Sequence, residues 1–252
     1  MNINKPIEIY FNSDIKLDNI EFNENLLNID LMNKHLSGCI DLNIYKDAQI
    51  INLQSNNIKQ ISEYPETLEE LNCSANQIEQ LDNLPLGLKI LECGENLIKS
   101  LTNLPGGLVI LHCTSNYITN LDFLPETLDE LNCSANLIEQ LDNLPRNLTK
   151  LYCDENKLIA LSNLPPGLKE LSANSNKLVN LTNLPNQLVK LFFHSNLITN
   201  IDNLPNTIDF IDCRFNQINQ VNNLPLNLKT LFMDKNLNNY ITKSKYPQIK
   251  IN

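Results

Sequence analysis

The chain has 252 residues, of which 42% are hydrophobic and 19% charged, with a formal net charge of −10. Enough apolar residues are present for a core, so whole-chain disorder is excluded, and the acidic balance argues against nucleic acid, whose phosphates need a basic face. No apolar run approaches the roughly 18 residues of a membrane span.

Asparagine and leucine dominate, at 43 and 45 residues. The N-terminal stretch MNINKPIEIYFNSD has neither the basic start, the apolar segment nor the small-residue cleavage site of a signal peptide. Seven cysteines without an export signal point to free thiols in an intracellular, reducing compartment.

Residues 1–25 form an N-terminal cap. Ile7, Ile9 and Phe11, then Ile15 and Leu17, then Ile20 and Phe22 alternate with period two. That pattern predicts a β-hairpin turning near Ser13-Asp14. Residues 26–47 read Leu26, Ile29, Leu31, Lys34, Leu36, Cys39, a degenerate first unit of the pattern that follows.

Residues 48–237 contain ten 20-residue repeats. Proline recurs every 20 residues from Pro65 to Pro225. Asparagine does the same at Asn56, Asn76, Asn96, Asn116, Asn136, Asn156, Asn176, Asn196, Asn216 and Asn236. Cysteine holds one register at Cys73, Cys93, Cys113, Cys133, Cys153 and Cys213, with Ala173 and Phe193 in the gaps. After Asn236 the pattern fades. Pro247 falls two residues late, and residues 238–252, with Tyr240, Ile241, Tyr246 and Ile249, are assigned to a C-terminal cap.

One unit is L-x-x-L-x-C-x-x-N-x-I-x-x-L-x-x-L-P-x-x, exemplified by Leu68, Leu71, Cys73, Asn76, Ile78, Leu81, Leu84 and Pro85. It closely resembles the leucine-rich repeat in its shortest form, the form with a trailing Leu-Pro found in secreted bacterial effectors. The Asn- and Ile-rich composition is also similar to that of mimivirus-like proteins of giant amoebal viruses. The repeat resemblance implies a mostly β, curved solenoid, with a parallel sheet on the concave face. Physical reasoning assigns the positions. Strand alternation turns Leu71 and Cys73 inward and Glu70, Asn72 and Ser74 outward. The inward asparagine can satisfy backbone groups stranded at the bend after the strand. Leu-Pro enforces extended or polyproline backbone on the convex side.

Chemistry is sparse. A metal centre needs thiolates that converge, whereas these form a row of parallel side chains suited to a structural core. Bridging coils by disulfides fits poorly, because Cβ atoms must approach to about 3.8 Å. His112 adjoins Cys113, but alternation points the two to opposite faces, so they form no nucleophile pair; an ion pair of His112 with Glu92 in the adjacent coil is expected instead. Carboxylates such as Glu69, Glu70, Asp129 and Glu130 read as a solvated face, since a flat ladder offers no pocket to shift their pKa values. Some effectors of the resembled type carry a C-terminal ubiquitin ligase with a catalytic cysteine. Cys39, the one cysteine outside the ladder, sits at an apolar position of the degenerate unit, so that activity is not expected. No enzyme activity, metal or cofactor is expected.

Strand-face residues are free of structural duty. The first half of this face is mostly acidic, and includes Glu70, Glu92, His112 and Glu130. The second half carries Tyr152, Phe192, His194, Phe210, Arg214, Phe215 and Phe232. Exposed aromatic clusters mark contact surfaces. The resemblance therefore points to a monomeric, non-enzymatic module binding a protein on its concave face, the partner offering a basic segment and an apolar anchor. The alternative is a structural or self-assembling protein, for instance virion-associated.

Overall fold

The computed structural model describes residues 27–237, 240–241 and 246–251. The expected hairpin in residues 1–25 lies outside the described residues. Strands β1 (Asn28–Asp30), β2 (Ser37–Asp41), β3 (Ile50–Asn52) and β4 (Asn57–Glu63) open the fold. Then one three-residue strand follows per repeat: β5 (Glu70–Asn72), β6 (Ile90–Glu92), β7 (Ile110–His112), β8 (Glu130–Asn132), β9 (Lys150–Tyr152), β10 (Glu170–Ser172), β11 (Lys190–Phe192), β12 (Phe210–Asp212) and β13 (Thr230–Phe232). Lys235–Leu237 forms a short 3-10 helix, and β14 (Lys250–Ile251) ends the described chain.

All these strands but β2 and β4 stack in chain order into one parallel 12-stranded sheet. The register advances by 20 residues from coil to coil, as in Glu70↔Ile90 and Leu71↔Leu91, and Lys250 still pairs with Thr230. Between β1 and β3 the step is 22, Asn28 facing Ile50. β2 and β4 form a separate parallel pair, with two register shifts. The result is a β-solenoid of the leucine-rich-repeat kind.

A coil cannot bury its apolar side chains alone; stacking does it. Leu68, Leu71, Cys73, Ile78 and Leu81 and their counterparts form one continuous core along the rod. Most repeat strands have a buried centre between less buried neighbours, as the two-residue alternation requires; in β10 and β12 the third residue, Ser172 or Asp212, is buried as well.

The bend after each of β5 to β12 is left-handed. Ala75, Glu95, Ser115, Ala135, Glu155, Ser175, Ser195 and Phe215 have φ between 51° and 56°, a region that costs a non-glycine residue about 1–2 kcal/mol. The next residue, asparagine, offsets that cost. In mid-array, Asn136 Nδ2 donates to the carbonyls of Cys113 (3.0 Å), Cys133 (3.1 Å) and Ser134 (3.1 Å). Its Oδ1 accepts the Ile118 N–H at 2.9 Å. Each amide thus serves its own coil and the preceding one. Lys34 holds this register in the first unit. Asn56 covers the first coil instead, accepting from the Lys34 and Leu36 N–H groups and donating to the Leu31 carbonyl.

The asparagine ladder stops one step earlier than its sequence register. Asn236 is exposed and lies in the 3-10 helix. It donates to the Ile218 carbonyl rather than accepting an N–H, because the helical turn carries its side chain out of the core. Cys39 is a second correction. It is exposed, not apolar core; the buried positions are Ile40 within β2 and Leu36 and Leu42 on either side of it.

Opposite the strands, Leu84-Pro85 leads into a turn closed by the Leu88 N–H on the Pro85 carbonyl at 3.1 Å. Proline has no N–H to waste there, and its fixed φ suits the extended approach.

Candidate interaction face

Three rows of side chains run along the strand face: those in register with Glu70, with Asn72 and with Ser74. Parallel pairing aligns them, so the neighbours of any face residue are 20 residues away in sequence.

In the N-terminal half these rows form an electrostatic chain. Asn72 Nδ2 donates to Glu92 Oε2 at 2.7 Å. His112 lies between two carboxylates, with Nδ1 3.7 Å from Glu92 Oε1 and Nε2 3.1 Å from Glu130 Oε1. Lys150 Nζ closes the chain on Glu130 Oε2 at 2.7 Å. The nearer partner of His112 is therefore Glu130, in the other row, and Glu92 is the farther one. Partial burial would raise the Glu130 pKa, but hydrogen bonds from Lys150 and His112 outweigh it and hold the carboxyl below its ordinary value.

Acid and base pair at the 20-residue step elsewhere on this side: Glu69 with Lys89 (2.6 Å), Glu170 with Lys190 (3.0 Å) and Asp209 with Lys229 (3.0 Å). Exposed pairs of this kind contribute at most about 1 kcal/mol each. Of these only Glu69–Lys89 lies in the acidic half, where it neutralises one carboxylate. Glu70 has no ion-pair partner among the described residues and keeps its charge open.

In the C-terminal half the face becomes an aromatic strip. Phe192 and Phe210 have ring centroids 4.8 Å apart, and Phe210 and Phe232 5.6 Å apart, both tilted. Phe210 comes from the row of Glu70, the other two from the row of Asn72, so Phe210 bridges them. Between Phe192 and Phe232 lies Asp212, its side chain only 8% exposed. Its two oxygens take Arg214 Nε at 2.9 Å and Nη2 at 2.6 Å. The Arg214 guanidinium carbon sits 5.0 Å from the Phe232 ring centroid, a cation–π distance. The rings are half-buried against one another. Asp212 went unremarked in the sequence, although its two-residue spacing from Arg214 places both on one strand face.

Tyr152 is in the Phe192 row, two coils away, with Ser172 between them. Burial is the larger cause, and nearby Glu170 the next, that raises its hydroxyl pKa. His194 stands in the row of Ser74, its Nδ1 3.1 Å from Ser195 Oγ. It joins a lateral chain through Asn174, whose Oδ1 accepts the His194 N–H and whose own N–H donates to Asp154. Phe215 is not on the strand face. It occupies the left-handed bend, φ 56°, and is 68% exposed. Alternation ends with the strand, and the bend turns its side chain away from the strip.

The thiol row lies behind the face. Cys73, Cys93, Cys113, Cys133, Cys153 and Cys213 are buried and free. Burial pushes Cys73, Cys113 and Cys213 up to about 12 from 9.0, so these are inert thiols, not nucleophiles. Among the described residues, no group of three or more His, Cys, Asp or Glu side chains is placed to hold a metal ion, and no helix is long and apolar enough to cross a membrane.

No family model and no curated protein matches the chain. Among solved structures it is similar to YopM from Yersinia enterocolitica WA-314, with 30% identity and a TM-score of 0.77 over 82% of this chain; it spans 47% of that protein. YopM from Yersinia pestis, described as a leucine-rich effector protein, gives 26% identity and a TM-score of 0.70, over 81% of this chain and 70% of that one. The leucine-rich-repeat domain of a Shigella effector is 31% identical with a TM-score of 0.55, over 60% of this chain and 70% of that one. With the 20-residue register, the asparagine bends and these likenesses together, the chain belongs to the leucine-rich-repeat proteins, with repeats of the bacterial-effector kind.

Proposed function

We propose that the protein is a non-enzymatic, monomeric recognition module that binds another protein on its concave strand face. The observation that carries this reading is the Phe192–Phe210–Phe232 strip, an apolar platform on a face that the core does not need. Such aromatic patches flanked by charge are typical of binding hot spots. The open charge of Glu70 and the Glu92–His112–Glu130 chain give the same face an acidic end. A partner fitting both ends offers a basic segment and an apolar anchor about half the sheet apart. The fold by itself assigns no activity; the proposal rests on this face.

Light scattering across a concentration series comes first. A monomer at all concentrations supports recognition, and a growing rod supports self-assembly instead. Affinity capture with the wild-type chain and with a Phe192→Ala, Phe232→Ala variant then tests the site. A partner retained equally by both moves the site off the strip.

A further inference from the structure

Phe123 breaks the pattern of its own register. On the side of the coil opposite the strands, the residue before each Leu-Pro is left-handed in several coils: Asn83, Asn103, Asn163, Asn183 and Asn203 have φ between 54° and 64°. Asparagine tolerates this region because its short amide bonds locally. Phe123 adopts the same conformation, φ 64°, where a bulky side chain is an outlier. Its ring gains no burial in return, being 90% exposed. The next residue, Leu124, already fills the core. The fold therefore gives no reason for phenylalanine at 123, and asparagine would be the less strained choice. Strain retained at an exposed position calls for a role outside the fold.

The surroundings state what kind of role. Asp122 precedes the ring, Glu126 follows it, and Glu139 and Asp142 project from the next coil, all exposed. Lys99 and Arg146 are the cations outside the strand face in the flanking coils, Lys89 being paired with Glu69 beside the strands. Four carboxylates against two cations leave an acidic field around one projecting aromatic. Anionic lipid headgroups and nucleic acid phosphates are repelled by such a field. An apolar pocket rimmed by lysine or arginine on a protein is complementary to it.

We propose that Phe123 is a docking residue on the convex side, a second contact surface separate from the concave strip, which inserts into a basic-rimmed apolar pocket of a partner protein. A lone projecting ring suits this role because a single buried aromatic can dominate a small interface.

Two measurements test it. The first is the thermal stability of the full chain and of Phe123→Asn. Asparagine at this position relieves the strain, so the melting temperature is expected to rise by about 2 °C or more. An unchanged or lower melting temperature overturns the proposal, because the phenyl ring then serves the fold. The second places a photocrosslinking benzoylphenylalanine at position 123 in the full chain, irradiated in an extract of the source cells. The captured protein is purified, and its binding to wild type, Phe123→Asn and Phe192→Ala, Phe232→Ala is measured by calorimetry at two salt concentrations. At least tenfold weaker binding by Phe123→Asn, with affinity falling as salt rises, is the expected result. Binding within twofold of wild type, or no adduct that excess wild-type chain competes away, overturns it. The concave variant is measured on the same partner, so loss there alone keeps the concave reading and rejects this one.

Discussion

Ala173 and Phe193 are neighbours in the thiol register, and they depart from cysteine in opposite directions. Phe193 is fully buried, the largest such side chain, and Ala173 beside it is buried as well. A phenyl ring exceeds a thiol by several methylenes, and a well-packed core would not absorb that without strain. The missing volume at Ala173 supplies the room.

The first prediction follows from that shared volume. Phe193→Ala should cost about 3–5 kcal/mol by leaving a cavity. Ala173→Leu should cost about 1–3 kcal/mol by overpacking. Combined, the two should cost less than their sum by about 1 kcal/mol or more, as coupled neighbours do. Urea melts of the three variants check this. Additivity within about 0.5 kcal/mol would mean that the two sites do not share space.

The asparagines separate into two groups. Asn136 makes four bonds to backbone in two coils, all to buried or partly buried groups. Asn136→Ala should cost about 1–3 kcal/mol, since stranded backbone groups lose their partners. Asn136→Asp should cost at least as much, since a charge is buried and the donors are lost. Asn236 is exposed, so Asn236→Ala should stay within about 0.5 kcal/mol of wild type. Equal losses at both positions in chemical denaturation would refute the distinction.

The fold was legible because a strict 20-residue period leaves one way to bury the apolar residues: by stacking. Alternation then located Glu70, Phe192, Phe210 and Phe232 on the strand face. It failed where the strand ends. Phe215 follows the outward Arg214 just past the strand, where alternation no longer applies and the left-handed bend leaves it exposed. The His112–Glu130 contact was missed for another reason. It runs diagonally between two rows, and side-chain reach rather than register decides it. The strain at Phe123 is invisible without φ, although a phenylalanine in a column of asparagines was there to be noticed.

The thiols should make the protein sensitive to alkali. Their native pKa values are raised, to about 12 for Cys73, Cys113 and Cys213, against 9.0. A raised acid keeps its proton in the native state while the unfolded chain has lost it. The native state then binds more protons, so stability falls as pH rises. The contribution is complete below about pH 9 and is lost between about 9 and about 12. Stability measured by urea melts from pH 8 to 11 should therefore decline. The decline should be shallower by about two protons in a Cys113→Ala, Cys133→Ala variant. In the native protein at pH 8, Cys39, which is exposed, should react quickly with a thiol reagent and the six ladder thiols slowly. Rapid labelling of more than one thiol would contradict their burial.

The two ends of the concave face should affect different rate constants. Charges at a rim steer encounter and respond to salt, while buried aromatic anchors govern escape. Glu70 has an open charge, so Glu70→Lys should slow association with a basic partner, weaken its salt dependence and leave stability within about 0.5 kcal/mol. Glu130 is different. It holds both His112 and Lys150, and a lysine there would face Lys150 directly across the sheet. Glu130→Lys should therefore lower stability by about 1 kcal/mol as well as affecting association. At the other end, Phe192→Ala with Phe232→Ala should speed dissociation at a cost of about 2 kcal/mol or more. Phe210→Ala should do the same alone, because Phe210 is the ring that touches both others. Surface plasmon resonance against the captured partner at two salt concentrations resolves all four variants. If Phe210→Ala changed association instead, or if Glu70→Lys changed only dissociation, the division of labour along the sheet would have to be abandoned.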